Sequence, residues 1–262
     1  MAVFDPLDGS KNIDSSLPVG SIFGIYKKQP GNAGSVFLQN GSGLVAAGYC
    51  LFSYVAHCLC TQLRLTDVLT LSIKLPKLPI TPSATTVLVL TLGSGVDGFT
   101  LDPDKGVFLH THPDIRIPSA GPIYSFNEAN FHDFSEPVRR YLDALKDGSS
   151  SVGVRSNARY VGALVADVHN VLINGGIYGY PATRKNQSGK LRLLYESAPM
   201  SMIMEQAGGA GSTGKGRILN VVPTDIHERV PTFLGSIENV FELDQFHKYY
   251  GEEGDSEIDY DA

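Results

Sequence analysis

Apolar and polar positions along this 262-residue chain change texture part-way. Residues 16–28, 43–53 and 85–110 are short segments rich in Val, Ile, Phe, Tyr and Thr, cut by Gly and Asp-Gly, and they predict strands joined by turns. Farther on the period lengthens. In "ARYVGALVADVHNVLINGG" the residues Val161, Leu164, Val165, Val168 and Leu172 fall on one face at helical spacing, and Gly175-Gly176 ends the run. "SEPVRRYLDALKDG" has Ser135 in N-cap position, Pro137 just inside and Gly148 beyond the end. "APMSMIMEQAGG" and "SIENVFELDQFHKYY" predict two further helices. Strands first and helix-strand alternation afterwards predict a layered α/β or α+β architecture, with no internal repeat.

Composition narrows the function classes. The length suits one large domain or two small ones. The formal charge is −6, and the tail supplies all of it, because Glu252, Glu253, Asp255, Glu257, Asp259 and Asp261 have no base among them. A neutral body lacks the basic face that general nucleic-acid binding needs. No apolar run reaches the ~18–20 residues of a membrane span, and the first residues lack a signal peptide's charged and apolar regions. The expectation is a cytoplasmic chain without a membrane partner. Cys50, Cys58 and Cys60 make no disulfide framework and suit a reducing compartment.

The candidate chemistry sits near the start, in "VFDPLDGSKNID". After an apolar strand, Asp5 and Asp8 flank a tight loop, so both carboxylates can converge on a hard cation such as Mg²⁺, with the Leu7 carbonyl as a further oxygen. Gly9 lets backbone approach a ligand, and a helix begun at Ser10 would offer N–H groups to a phosphate. A solvated Asx turn is an equal reading of the motif taken alone.

The wider chain resembles fructose-1,6-bisphosphatase. The resemblance is carried in order by "FDPLDGSKNID", "VGSIFGIYKK", "LVAAGYCLF", "LTLGSGVDGFTLDPDKGVF", "IYSFNEANF", "ARYVGALVADVHNVLINGGIYGYP", "GKLRLLYESAPMSMIMEQAGGAGS" and "PTDIHERVPTFLGS". The D-P-L-D-G-S signature is shared with the wider group of Mg²⁺-dependent, Li⁺-sensitive sugar and inositol phosphatases, whereas the other blocks single out the bisphosphatase. The resemblance implies the sugar-phosphatase fold of alternating helix and sheet layers. It implies a cytoplasmic enzyme of carbohydrate metabolism and gluconeogenesis that uses Mg²⁺, or Mn²⁺ or Zn²⁺, as a homotetramer. Asp5, Asp8 and Glu196 would be catalytic, and with the Leu7 carbonyl would ligate the metal. Gly9 and Ser10 would hold the phosphate being removed. The 6-phosphate would lie on Asn127, Tyr160, Tyr180 and Lys190, with Arg159 reaching from a neighbouring subunit. The reaction implied is in-line attack of water on the 1-phosphate of fructose 1,6-bisphosphate, giving fructose 6-phosphate and phosphate.

Departures from the family pattern set further expectations. The family places roughly 110 residues, a domain-sized length, ahead of the opening motif, with further acidic metal ligands and a helical segment that binds AMP. The sequence reading therefore expects residues 1–251 to form an incomplete bisphosphatase domain, to expose apolar faces meant for the upstream part, and to bind Mg²⁺ weakly and turn over poorly. Residues 252–262 form an acidic tail. The block "YVAHCLCTQLRLTDVLTLSIKLPKLPITPS", residues 54–83, has no family counterpart, and removing it restores "GYCLFSATTVLVLTLG", as an unspliced intron would. Its Pro76, Pro79 and Pro82 predict a poorly ordered excursion between strands. His57, Cys58 and Cys60 within it lack the spacing of a metal site. Asn130 stands where the family has Tyr, and Lys11 where it commonly has Ser. A noncatalytic sugar-phosphate-binding subunit and a sedoheptulose-1,7-bisphosphatase are the alternative readings.

Overall fold

Six strands in chain order make an antiparallel meander: β1 (Ala2–Asp8), β2 (Val19–Tyr26), β3 (Leu44–Phe52), β4 (Thr86–Thr91), β5 (Asp97–Asp102) and β6 (Val107–His112). The computed structural model describes residues 1–27, 38–53 and 85–251. The block 54–83, including His57, Cys58 and Cys60, and the tail 252–262 lie outside the described residues. The three segments expected to be strands are strands, and residues 85–110 divide into three because turns intervene at Gly93–Gly95 and Pro103–Gly106.

A second sheet is mixed and runs in the order β11 (Ala210–Ser212), β13 (Thr232–Gly235), β9 (Ile177–Tyr180), β7 (Ile123–Phe126), β8 (Asn157–Ala158). β7 is parallel to both β8 and β9. A short ladder joins β10 (Leu191–Arg192) to β12 (Arg229–Val230). Four α-helices connect these strands among the described residues: α1 (Glu136–Asp147), α2 (Leu164–Asn174), α3 (Ala198–Gln206) and α4 (Ile237–Tyr250).

The helices sort by polarity into two layers. α2 and α3 are apolar nearly all round because each is covered on both sides, by the six-stranded sheet and by the mixed sheet. Val165, Val168, Leu172, Met200 and Ile203 meet Ile22, Tyr49 and Val89 in that core. α1 and α4 cover the far face of the mixed sheet, where Val138, Tyr141, Leu142, Val240 and Leu243 pack on Tyr124, Phe126 and Phe233. α1 turns Arg140, Asp143 and Asp147 to solvent. The result among the described residues is sheet, helices, sheet, helices, the alternating layers of the sugar-phosphatase fold. On the outer face of the meander, cross-strand register groups Phe4, Phe23, Leu88, Leu90 and Phe99, with Phe4 47% exposed.

Local signals act much as read, with three differences. Ser135 and Ser236 occupy N-cap positions but neither hydroxyl caps its helix; Ser236 Oγ instead accepts the Gly176 N–H at 2.9 Å. α2 begins at Leu164, so Val161 lies ahead of it, because Gly162 at φ +85° turns the chain out of helical geometry. Asp5 and Asp8 lie within β1 and do not flank a loop: Asp5 pairs with Ile22 and Asp8 with Gly20, leaving one extra residue on β1 as a bulge. β1 is the edge strand, where Pro6 removes no essential ladder bond.

Candidate active site

The bulge in β1 and an irregular turn before α3 bring three acids together. Asp5, Asp8 and Glu196 place one carboxylate oxygen each within 4.8 Å of one another. Glu196 stands on a π-helical turn, Leu193–Ser197, between β10 and α3. Each acid is anchored by backbone. Asp5 Oδ1 accepts the Leu7 N–H at 3.1 Å, Glu196 Oε2 accepts the Arg192 N–H at 2.5 Å, and Asp8 Oδ2 accepts the Val165 N–H at 2.8 Å. Val165 is in the first turn of α2, so Asp8 does for that helix what a capping side chain does, from a different strand. Gly20, whose added Cβ would stand 2.7 Å from Val165, lets β2 and α2 approach closely enough for this bond.

Electrostatics show a site short of positive charge. Burial pushes the Asp8 carboxyl up to about 6, with the nearby charge of Asp5 adding to it. Burial likewise pushes Glu196 up to about 7, with the charges of Asp5 and Asp8 behind it. A divalent cation relieves that repulsion, and an all-oxygen donor set fits a hard ion such as Mg²⁺ or Mn²⁺.

Directly after β1 the chain makes the phosphate-loop candidate. Gly9 adopts φ +77° and the 3₁₀ turn Ser10–Asn12 follows, with Ser10 exposed. Asn12, buried below, donates from Nδ2 to Pro18 O at 3.0 Å and to Val161 O at 3.3 Å, tying this loop to the segment ahead of α2.

The second cluster forms at the carboxyl ends of the parallel strands β7 and β9, the edge where α/β sheets place ligands. Asn127 follows β7 and Tyr180 ends β9. The Tyr160 hydroxyl lies near Asn127 and Tyr180, and Lys190 Nζ is 5.3 Å from the centre of the Tyr180 ring. Burial holds the Tyr160 hydroxyl up to about 12, so it remains a proton donor at neutral pH. Arg159, next to Tyr160, is exposed, and its Nη1 donates to Ala158 O at 3.1 Å.

The comparisons with known proteins decide the family. The model of the fructose-1-6-bisphosphatase C-terminal domain matches residues 117–248, and that of the N-terminal domain matches residues 1–77. The chain belongs to the fructose-1,6-bisphosphatase family. It is 44% identical to a chloroplastic fructose-1,6-bisphosphatase of Brassica napus, over 94% of this chain and 56% of that one. It is 46% identical to a class 1 fructose-1,6-bisphosphatase of Persephonella marina, over 93% of this chain and 64% of that one. The crystal structure of the Leishmania major enzyme in apo form superposes with a TM-score of 0.79 at 39% identity, covering 95% of this chain and 72% of that one. The chain thus spans less than two thirds of the length of these curated relatives.

Two features of the site escaped the sequence reading. Asn12 and Asp167 make the bonds that join the two clusters, although neither was singled out. Asp167 did leave a signal, an acid inside the mostly apolar run "LVADVHNVL".

Proposed function

We propose that this chain carries the site at which fructose 1,6-bisphosphate loses its 1-phosphate, releasing fructose 6-phosphate and inorganic phosphate. The observation that carries the reading is the convergence of Asp5, Asp8 and Glu196 within 4.8 Å, one residue ahead of the Gly9–Ser10 turn. Family membership supplies the substrate class. Mg²⁺, or Mn²⁺ or Zn²⁺, would be held by Asp5, Asp8, Glu196 and the Leu7 carbonyl. When bound, such an ion neutralises phosphoryl oxygens and lowers the pKa of water.

The chain's own groups do the rest. The backbone at Gly9 and Ser10 orients the phosphoryl group being transferred. Asn127, Tyr160, Tyr180 and Lys190 grip the distal phosphate, whose binding energy fixes the sugar for in-line attack. Arg159, exposed, completes that cluster in a neighbouring copy of a homo-oligomer. The cellular setting is the cytoplasm, and among the described residues no helix is long and apolar enough to cross a membrane. Three carboxylates supply few of the oxygens that a six-coordinate ion requires, so turnover by residues 1–262 alone is slow. Phosphate release from fructose 1,6-bisphosphate with Mg²⁺ tests this reading: Glu196→Gln abolishes it, and equal release by Glu196→Gln refutes the assignment.

A further inference from the structure

Asp167 is an acid in the first turns of a helix covered by sheets on both sides, and it is only 2% exposed. A carboxylate there is costly, since burial lifts it above the usual carboxylate range. What it holds is a single backbone turn. Oδ1 accepts the Val161 N–H at 2.7 Å and Oδ2 accepts the Gly162 N–H at 2.9 Å. That turn begins at the residue after Tyr160, with Gly162 in the left-handed region at φ +85°. The same segment is tied to β7 by backbone, the Arg159 N–H donating to Tyr124 O at 2.9 Å. From the other side, Asn12 Nδ2 holds Val161 O. One buried side chain therefore holds the backbone just after Tyr160, and the residue just before Tyr160 is bonded to the strand that leads to Asn127.

We infer that Asp167 is a positioning residue for substrate: by fixing the Val161–Gly162 turn against β7 it sets the Tyr160 hydroxyl beside Asn127 at the spacing the distal phosphate needs. This rests on the reading of Asn127, Tyr160, Tyr180 and Lys190 as the distal-phosphate site. The Asp167 carboxylate bonds to the Val161–Gly162 turn and not to the three acids of the metal cluster, and its charge is the smallest of the influences on Asp8, so its removal acts chiefly on sugar-phosphate affinity.

Asp167→Asn tests it with little change in volume. Asn keeps one acceptor oxygen, so an amide N–H₂ is turned toward one of the two backbone N–H donors, and one bond is lost. In calorimetry on the full chain, the variant binds fructose 6-phosphate, which retains the distal phosphate, about tenfold more weakly, while its Mn²⁺ affinity stays within about twofold of wild type. In turnover, KM for the bisphosphate rises by more than kcat falls. Wild-type protein that binds no fructose 6-phosphate overturns the distal-site reading itself. If wild type binds it and Asp167→Asn binds it equally well, or loses Mn²⁺ to the same degree, the positioning role of Asp167 is overturned and the distal site stands. Should Asp167→Asn not fold, Gly162→Ala carries the test, since a Cβ at φ +85° strains the turn that Asp167 holds: weaker fructose 6-phosphate binding with unchanged Mn²⁺ affinity supports the role, and unchanged binding of both contradicts it.

Discussion

A Cβ built on Gly9 would stand 2.6 Å from the Cβ of Ala163, so the turn after Asp8 and the segment entering α2 touch where a side chain has no room. Gly9 also lies at φ +77°, where an L-residue is strained. Gly9→Ala meets both obstacles. It destabilises the fold by roughly 2–4 kcal/mol, from left-handed strain and overpacking together. It also displaces the phosphate loop from Asp8, so phosphate release falls by more than tenfold. Chemical denaturation and an activity assay on the same preparation check the two effects.

Asp8 should be harmful to the metal-free protein. Its carboxyl is raised from 3.8 to about 6 in the fold, so the charged form costs stability above pH ~6, and that cost disappears as pH falls below the unfolded value. Asp8→Asn, which keeps an acceptor for the Val165 N–H, is therefore more stable than wild type by roughly 1–3 kcal/mol at pH 8 without metal, and gains nothing at pH 3. Millimolar Mn²⁺ raises the melting temperature of wild type and leaves Asp8→Asn unmoved. Thermal scans at the two pH values with and without Mn²⁺ measure all of this.

Tyr49 and His169 share a 2.8 Å hydrogen bond between β3 and α2. Burial, with a smaller contribution from His112, holds the His169 imidazole down to about 4, and burial keeps the Tyr49 hydroxyl protonated. The folded value lies below the unfolded ~6.5, so the unfolded chain takes the proton first. The stabilisation is complete above pH ~6.5 and is lost as pH falls toward 4. Between pH 7 and 4.5, wild type should lose about 2–3 kcal/mol more unfolding free energy than His169→Gln. Parallel curves for the two proteins would contradict the buried neutral imidazole.

The ends of β3 and β4 bear on the block 54–83. Ser53 N–H donates to Thr85 O at 3.1 Å and Thr85 N–H donates to Ser53 Oγ at 2.8 Å, while Phe52 pairs with Thr86. Joining Ser53 to Ala84 leaves a three-residue hairpin loop between paired Phe52 and Thr86, a common length. Deleting 54–83 should therefore preserve the fold and raise the melting temperature, because a shorter loop closes at lower entropic cost. A deleted chain that no longer folds would show that the block belongs to the domain.

The layered architecture was legible because its periods are clean. The segments 16–28 and 43–53 and the apolar faces of α1 and α2 each point to one element, whereas 85–110 holds three strands. What stayed hidden is what depends on long-range bonds. The bulge at Pro6–Leu7 is set by register against β2, and no pattern within β1 announces it. The start of α2 moved past Val161 because the carboxylate of Asp167 claims the preceding N–H groups. Of the candidate site residues, resemblance supplied Glu196, Asn127, Tyr160, Tyr180 and Lys190, which lie far apart in sequence; no local spacing would have joined Glu196 to Asp5.

The most direct measurement of the central claim is ³¹P NMR of fructose 1,6-bisphosphate incubated with the purified protein and Mg²⁺. The account predicts slow loss of the 1-phosphate resonance, persistence of the 6-phosphate resonance and growth of inorganic phosphate, all of which stop when a chelator is added or Asp8→Asn replaces wild type. Loss of the 6-phosphate first, or phosphate release that survives both the chelator and Asp8→Asn, would contradict it.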